Sequence, residues 1–210
     1  MIPILVTQRM QSLTDLGEVR DACDRRWSRF LLECDLLPVL APNHLPTVRH
    51  LWERLRPWGI LLTGGDSPGF LGGDDAERDQ VENHLLDLAI EGDFPLMGVC
   101  RGMQMIQHWF GVPLRAVAGH VAPTLTIDVG GRSRQVNSYH HFGTHESRPP
   151  LGIWATAADG TVKAVRHNNK PILGIMWHPE RFPEKQEDDI LLFRTFFGSY
   201  KPSTCEKTSK

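Results

Sequence analysis

The sequence predicts an α/β protein in which a mostly parallel central sheet lies between two layers of helices. Two observations support this prediction. Between residues 2 and 111, short apolar runs alternate with longer segments whose apolar residues recur at helical spacing. After Pro113 the apolar runs are short, and Gly-Gly, Asp-Gly or Asn-Asn turns separate them, which is typical of hairpins. We therefore expect a three-layer sandwich with antiparallel hairpins in its C-terminal half.

The first half of the chain contains four predicted strands and three predicted helices between them. The strands are 2–6, 36–40, 60–63 and 96–99, and the helices are 18–34, a segment capped by Thr47, and 75–91 with Gly92 as its end. Pro38 predicts that the second strand lies at an edge or carries a bulge, because proline cannot donate to a sheet ladder.

The second half is predicted to consist of two hairpins, a further strand and a closing helix. The hairpins are 125–129 with 133–137 and 154–158 with 162–167, the strand is 172–177, and the helix is 188–197. Residues 1–200 are expected to form a single domain. The polar tail 201–210 is expected to be disordered.

Composition excludes several classes of function. The 210 residues carry a formal net charge of -2, so nothing predicts binding to nucleic acid or to an anionic membrane. The N-terminus reads as a strand and lacks a basic leader, and no apolar run is long enough to span a bilayer. The four cysteines have neither CxxC nor metal-ligand spacing, which favours a reducing cytoplasm and predicts no metal.

Cys100 is predicted to lie on a tight turn between the strand 96–99 and a helix that ends at Gly111. Gly98 and Gly102 provide the room that such a turn needs. The positive potential at the helix N-terminus favours the thiolate, so Cys100 is a candidate nucleophile at a nucleophile-elbow turn. A buried core cysteine is the alternative for this residue type taken alone.

His178 and Glu180 are a candidate base and its orienting acid. Pro179 favours an extended conformation at His178, and residues two apart in an extended chain face the same side. The carboxylate would then fix the tautomer of the ring. Upstream, Gly64-Gly65-Asp66-Ser67-Pro68 lacks the Lys-Ser/Thr of a phosphate-binding loop. It is either an ordinary turn or, beside Cys100, a source of a backbone N–H for an oxyanion.

These motifs resemble the class I glutamine amidotransferase superfamily, and specifically its stand-alone γ-glutamyl hydrolase branch. The resemblance covers about 2–199 and rests on GVCRGMQ, HPE, TGGD, VTQR, VNSYHHFG and GIMWHPER. It implies a flavodoxin-like sandwich with no cofactor. It also implies roles for individual residues: Cys100 as nucleophile, His178 as base, Glu180 as its orienter, Gly65 and Arg101 as oxyanion-hole amides, and Gln104, Tyr139, His140 and His141 as the glutamyl pocket. One of the two histidines is equally well an ordinary hairpin residue.

The resemblance implies hydrolysis of a γ-glutamyl amide through a γ-glutamyl thioester, by a chain that acts alone or as a homodimer with no obligate synthase. Two other functions stay open. One is a glutaminase subunit that delivers ammonia to a separate synthase, and the other is a non-catalytic binding protein. The TGGD loop departs from the PGGxD form of the polyamine and γ-aminobutyrate hydrolases, which disfavours those substrates without excluding them.

Arginines near the N-terminus predict an anionic leaving group. Arg9 follows the first strand, and Asp24 and Trp27 lie in an arginine-rich segment. The resemblance at Asp24 and Trp27 is to a branch member that releases a nucleoside diphosphoramidate for capsule decoration. Since bidentate arginines suit a pyrophosphate, we expect Arg9 and at least one residue of 24–29, Trp27 foremost, to border the pocket. A solvated helix face is the alternative for most of these arginines.

Overall fold

A computed structural model of the chain describes residues 1–184 and 186–199. The strands are β1 (Ile2–Thr7), β2 (Arg9–Leu13), β3 (Glu18–Ala22), β4 (Leu36–Ala41), β5 (Gly59–Leu62), β6 (Leu96–Val99), β7 (Arg115–Ala116), β8 (Val121–Val129), β9 (Arg132–Tyr139), β10 (Phe142–Gly143), β11 (Leu151–Ala157), β12 (Val162–His167) and β13 (Ile172–Ile175). The helices are α1 (Arg25–Glu33), α2 (Leu45–Leu55), α3 (Ala76–Gly92), α4 (Arg101–Trp109) and α5 (Glu187–Gly198). The predicted disordered tail lies outside the described residues.

Within the described residues, nine strands form one mixed sheet in the order β4-β1-β5-β6-β13-β12-β11-β8-β9. The five strands from β4 to β13 are parallel, and the remaining pairings are antiparallel. This arrangement confirms the predicted parallel sheet with hairpins added in the C-terminal half. Three-residue turns of 3₁₀ helix occur at Thr14–Leu16, Gly69–Leu71 and Pro179–Arg181.

The two faces of the sheet are covered by separate helix layers. Ile4 and Val6 pack with α1 and α5 in one core, whereas Leu5, between them, packs with α2, α3 and α4 in the other. The alternation follows from the pleat of a strand, which sends successive side chains to opposite faces. The predicted three-layer sandwich is therefore confirmed. No helix within 1–184 and 186–199 is long and apolar enough to cross a membrane.

The predicted helix 18–34 is wrong over residues 18–24. Residues Glu18–Ala22 form β3, which pairs with β2 in a two-stranded hairpin outside the main sheet. The helix begins only at Arg25, because the Asp24 carboxylate accepts a hydrogen bond from the Arg26 N–H and caps it. Val19, which fitted the helical pattern, is exposed, so burial gives that pattern no support.

The predicted ends, caps and edges of the elements are confirmed in some places and wrong in others. Pro38 does lie in an edge strand, since β4 ends the sheet. Thr47 does not cap α2, which begins at Leu45. Its hydroxyl lies 2.8 Å from His44 Nδ1 instead. Helix α3 includes Gly92, and the left-handed residue that follows it is Asp93. Both hairpins are confirmed; β8, β9 and β11 are longer than predicted, and β12 has the predicted bounds.

Candidate active site

The strand-to-helix turn predicted at Cys100 is present. Cys100 has φ 51°, a left-handed value that is uncommon outside glycine, and it lies between the end of β6 and the start of α4. Its N–H donates to Ile175 O at 2.8 Å, which fixes the turn to β13. A Cβ on Gly98 would overlap the Gly102 carbonyl, and one on Gly102 would overlap Leu62 O. The close approach of α4 to the sheet therefore requires both glycines.

His178 connects Cys100 to Glu180. Its Nδ1 lies 2.7 Å from Glu180 Oε1, and the ring also hydrogen-bonds to the Cys100 side chain. All three residues are buried. Burial would lower the pKa of His178, but the hydrogen bonds to Cys100 and Glu180 outweigh it and raise that pKa to about 9. The ring is therefore an imidazolium at neutral pH, a form that pairs with a thiolate.

Asn137 is a site residue that the sequence analysis missed. His178 N–H donates to Asn137 Oδ1 at 2.8 Å, and Asn137 Nδ2 donates to His178 O at the same distance. This reciprocal pair fixes the backbone on which the imidazole is mounted. Asn137 and His178 are 41 residues apart, so spacing gave no signal. The motif VNSYHHFG, in which Asn137 lies, was the only hint.

The glycine loop after β5 lies against the imidazole. A Cβ on Gly64 would be 2.5 Å from His178 Cε1, so the loop backbone touches the ring. Gly65 has φ 132° and lines the same cavity as His178. Arg101 is the first residue of α4, where backbone N–H groups have no partner within the helix. The structure thus brings the Gly65 loop to His178 and the Arg101 amide next to Cys100.

The predicted glutamyl pocket divides into buried and exposed residues. Gln104 is buried and donates through Nε2 to Phe142 O at 3.1 Å. Tyr139 is partly exposed, with its ring centroid 6.0 Å from that of His178. His141 is exposed, whereas His140 is buried.

His140 is held in a buried network. Its Nδ1 faces Phe142 O at 3.0 Å, so this nitrogen carries the proton, and its Nε2 accepts from Lys163 Nζ at 2.7 Å. Burial and the Lys163 charge lower the pKa of His140 to about 3, so the ring is neutral. Lys163 is itself buried and also donates to Ser138 Oγ at 2.9 Å. Lys163 lies in no motif of the sequence that predicted a functional role.

Arg9 and Trp27 line one cavity together with His178. A cavity of about 240 Å³ is lined by both of them together with Asp24, Gly64, Gly65, His178, Glu180 and Arg181. Arg9 donates to Asp66 Oδ1 at 2.6 Å, and Trp27 is buried in the wall. A larger cleft of about 860 Å³, which also borders Arg9 and Gly65, opens toward β2 and β3.

The chain belongs to the class I glutamine amidotransferase family, whose model matches residues 19–198. Among curated proteins it is similar to γ-glutamyl-CDP-amidate hydrolase of Campylobacter jejuni, with 27% identity over 93% of this chain and 98% of that protein. It is also similar to a γ-glutamyl-γ-aminobutyrate hydrolase of Escherichia coli O157:H7, with 28% identity over 91% of each chain.

Solved structures share the fold. A putative GMP synthase protein from Thermoplasma acidophilum superimposes with a TM-score of 0.72 at 20% identity, over 95% of this chain and 96% of that one. The glutaminase domain of Trypanosoma brucei CTPS with bound acivicin gives 0.70 at 13% identity, over 96% and 95%.

Proposed function

We propose that this chain is a cysteine-dependent hydrolase that cleaves a γ-glutamyl amide and releases glutamate. The contact of Cys100 with the imidazole of His178, which Glu180 orients at 2.7 Å, is the observation that carries the proposal. Family membership supports it, and so do two relatives that are both named as γ-glutamyl hydrolases and match over nearly their whole length.

In the first half of the reaction, the Cys100 thiolate attacks the γ-carbonyl carbon and a C–S bond forms. The carbonyl oxygen becomes negative and takes hydrogen bonds from the N–H groups of Gly65 and Arg101. Removing one such donor typically costs about 3–4 kcal/mol in the transition state. The C–N bond then breaks, and His178 gives its proton to the departing nitrogen.

In the second half, water attacks the γ-glutamyl thioester. Neutral His178 now takes a proton from the water, the C–S bond breaks, and the thiolate and imidazolium are restored. Glutamate leaves as the product. Asn137 and Glu180 hold the ring during both proton transfers, because one fixes its backbone and the other its Nδ1.

The glutamyl end of the substrate is assigned to Gln104 and Tyr139, and His140 supports the loop that carries Tyr139. His140 acts from a fixed tautomer, since Phe142 O binds one of its ring nitrogens and Lys163 the other. Its role is to hold the loop 139–142 in place, because both of its ring nitrogens are already occupied.

The leaving group is a nucleoside diphosphate joined through nitrogen, as in a γ-glutamyl-CDP-amidate. Arg9 and Arg181 lie in the same cavity as His178, and guanidinium groups suit a multiply charged pyrophosphate. An adjoining cavity of about 460 Å³ adds Arg26 and Arg29 beside Arg181. The whole-length similarity to the Campylobacter enzyme supports the same substrate class, and with it a role in capsule decoration.

The decisive test is glutamate release from a matched panel: a γ-glutamyl nucleoside diphosphoramidate, γ-glutamyl-γ-aminobutyrate and free glutamine. We expect the highest kcat/KM with the first, and no release from any of them by Cys100→Ala. Preference for γ-glutamyl-γ-aminobutyrate would support the second candidate, which the E. coli relative favours. Turnover of glutamine alone, stimulated by a synthase, would contradict the proposal, as would near-normal activity of Cys100→Ala.

A further inference from the structure

Arg78 is a fully buried arginine of α3 whose hydrogen bonds go to the glycine loop of the site. Its Nη2 donates to Thr63 O at 2.9 Å, to Gly64 O at 3.0 Å and to Thr63 Oγ1 at 3.2 Å. An arginine that is 0% exposed and reaches two consecutive backbone carbonyls fixes the conformation of that segment.

The same arginine belongs to a buried ionic cluster that joins both halves of the proposed oxyanion hole. Glu82 accepts from Arg78 Nε at 2.8 Å and from Thr7 Oγ1 at 3.0 Å, and its other oxygen accepts from Arg101. Arg101 also pairs with Asp79. The two guanidinium groups therefore pair with the carboxylates of Glu82 and Asp79. Glu82 binds both arginines, so it connects the glycine loop to Arg101, the residue after Cys100.

The geometry of the peptide bond gives this cluster a consequence for catalysis. The carbonyl of Gly64 and the N–H of Gly65 belong to one trans peptide group, so they point in opposite directions. Because the guanidinium of Arg78 holds Gly64 O, the N–H of Gly65 is directed away from α3. Gly65 has φ 132°. Because glycine adopts positive and negative φ about equally readily, its own backbone does not select this conformation.

We propose that Arg78 is a positioning residue of the oxyanion hole: it orients and polarises the Gly64–Gly65 peptide so that the Gly65 N–H faces the reacting carbonyl. A charged donor on a carbonyl oxygen draws electron density from the amide and makes its N–H a stronger donor. Arg78 itself touches neither substrate nor Cys100. The inference rests on the proposed function for the choice of a γ-glutamyl amide as substrate. Acylation of Cys100 by a simple ester tests Arg78 without that choice.

The test compares three reactions of Cys100 in wild type, Arg78→Lys and the matched control Arg54→Lys on the exposed surface of α2. Lysine keeps the charge but lacks the planar fork that reaches several acceptors. The first reaction is hydrolysis of the best γ-glutamyl amide. The second is acylation by p-nitrophenyl acetate, which forms an oxyanion with any acyl group. The third is alkylation by iodoacetamide, in which the thiolate displaces iodide from a saturated carbon and no oxyanion forms.

Arg78→Lys is expected to lower kcat for hydrolysis and the rate of ester acylation by about 10- to 100-fold, since loss of a whole donor costs 10²–10³-fold. KM and the alkylation rate should stay within about twofold of wild type, and Arg54→Lys should match wild type throughout. An equal loss in the alkylation rate would show that Arg78 has only a structural role. An unchanged rate of ester acylation would show that Arg78 does not position the oxyanion hole. Wild-type ester acylation without amide hydrolysis would refute the proposed substrate and leave the test of Arg78 intact.

Thr7→Val provides a second variant that decides the matter if Arg78→Lys does not fold. The Thr7 hydroxyl accepts from Thr63 N at 3.0 Å and donates to Glu82, so it links the loop to the same cluster. Valine has nearly the same shape. We expect a smaller loss of ester acylation, about threefold to tenfold, with alkylation unchanged. Parallel losses in both reactions would contradict the inference.

Discussion

His178 is the residue whose charge state is most closely tied to the chemistry. Its hydrogen bonds to Cys100 and Glu180 more than offset the effect of burial and raise its pKa to about 9 from an ordinary value of 6.5. The stability that comes from this raised pKa is fully present below pH 6.5 and is lost as the pH rises through 9.

We therefore expect Glu180→Gln to lower the pKa of His178, measured by NMR titration of the ring. The difference in unfolding free energy between wild type and this variant should be largest below pH 6.5 and should shrink toward pH 9. Cys100→Ala should lower the same pKa because it removes the other hydrogen bond. A His178 pKa that is the same in all three proteins would show that the two side chains do not control the ring.

For Lys163 we expect a pH dependence of the unfolding free energy that is opposite in sign. Burial lowers its pKa to about 8 from 10.5, so the folded state disfavours the charged ammonium. This cost declines as the pH rises from about 8 to 10.5. The unfolding free energy of wild type relative to Lys163→Met should therefore increase over that range, by up to about 3 kcal/mol. Denaturant titrations at pH 7, 8, 9 and 10.5 measure this difference in unfolding free energy. A difference that does not change with pH would contradict the prediction.

At the scale of elements, the β2–β3 hairpin is the part of this chain that reaches from the first strand into the cleft. Asn43, after β4, anchors it by donating from its N–H and Nδ2 to the Asp21 carboxylate at 2.9 and 2.7 Å. Arg9 begins the hairpin and lines both the cleft and the cavity that His178 lines. The hairpin therefore brings Arg9 to the cavity that His178 lines.

Arg9→Ala is expected to reduce kcat/KM for a γ-glutamyl nucleoside diphosphoramidate by about tenfold, because only that substrate uses the guanidinium. Activity on γ-glutamyl-γ-aminobutyrate should stay within about twofold. Arg20→Ala, in β3 of the same hairpin and exposed, is the matched control. Equal losses of Arg9→Ala on both substrates would assign Arg9 a structural role through its pair with Asp66.

At the scale of the whole molecule, the site depends on how closely α4 approaches the sheet. Gly98 and Gly102 face each other across that contact, and neither has room for a Cβ. Gly98→Ala or Gly102→Ala should lower the unfolding free energy by about 1–3 kcal/mol or more and displace Cys100. Gly198→Ala is the control, since a Cβ there meets nothing within 4 Å. Thermal melts with normal midpoints for both elbow variants would contradict this account.

Several features follow from the sequence because they are local. The buried strands 96–99 and 172–175 are apolar runs; Cys100 directly follows the first, and His178 follows the second after Met176 and Trp177, which the sequence predicts as part of that strand. The turn at Cys100 follows from flanking glycines, and the extended conformation of His178 follows from Pro179, but Glu180 reaches the ring from a 3₁₀ turn and not from the extended chain that the sequence predicts. The alternation of strands and helices fixes the layers, since parallel strands need helical crossovers.

Other features depend on contacts between residues that are far apart in the chain. Asn137 holds His178 across 41 residues, and Arg78 holds a loop 14 or 15 residues upstream of it. Part of the hairpin 9–22 has a weak helical period, which predicted a helix there. Its strand pairing and its anchor on Asn43 outweigh that period, so the segment forms a strand. Local propensity and spacing carry no information on such partners. Tertiary packing alone therefore decided how His178 and the glycine loop are held, and that Arg9 lines the same cavity as His178.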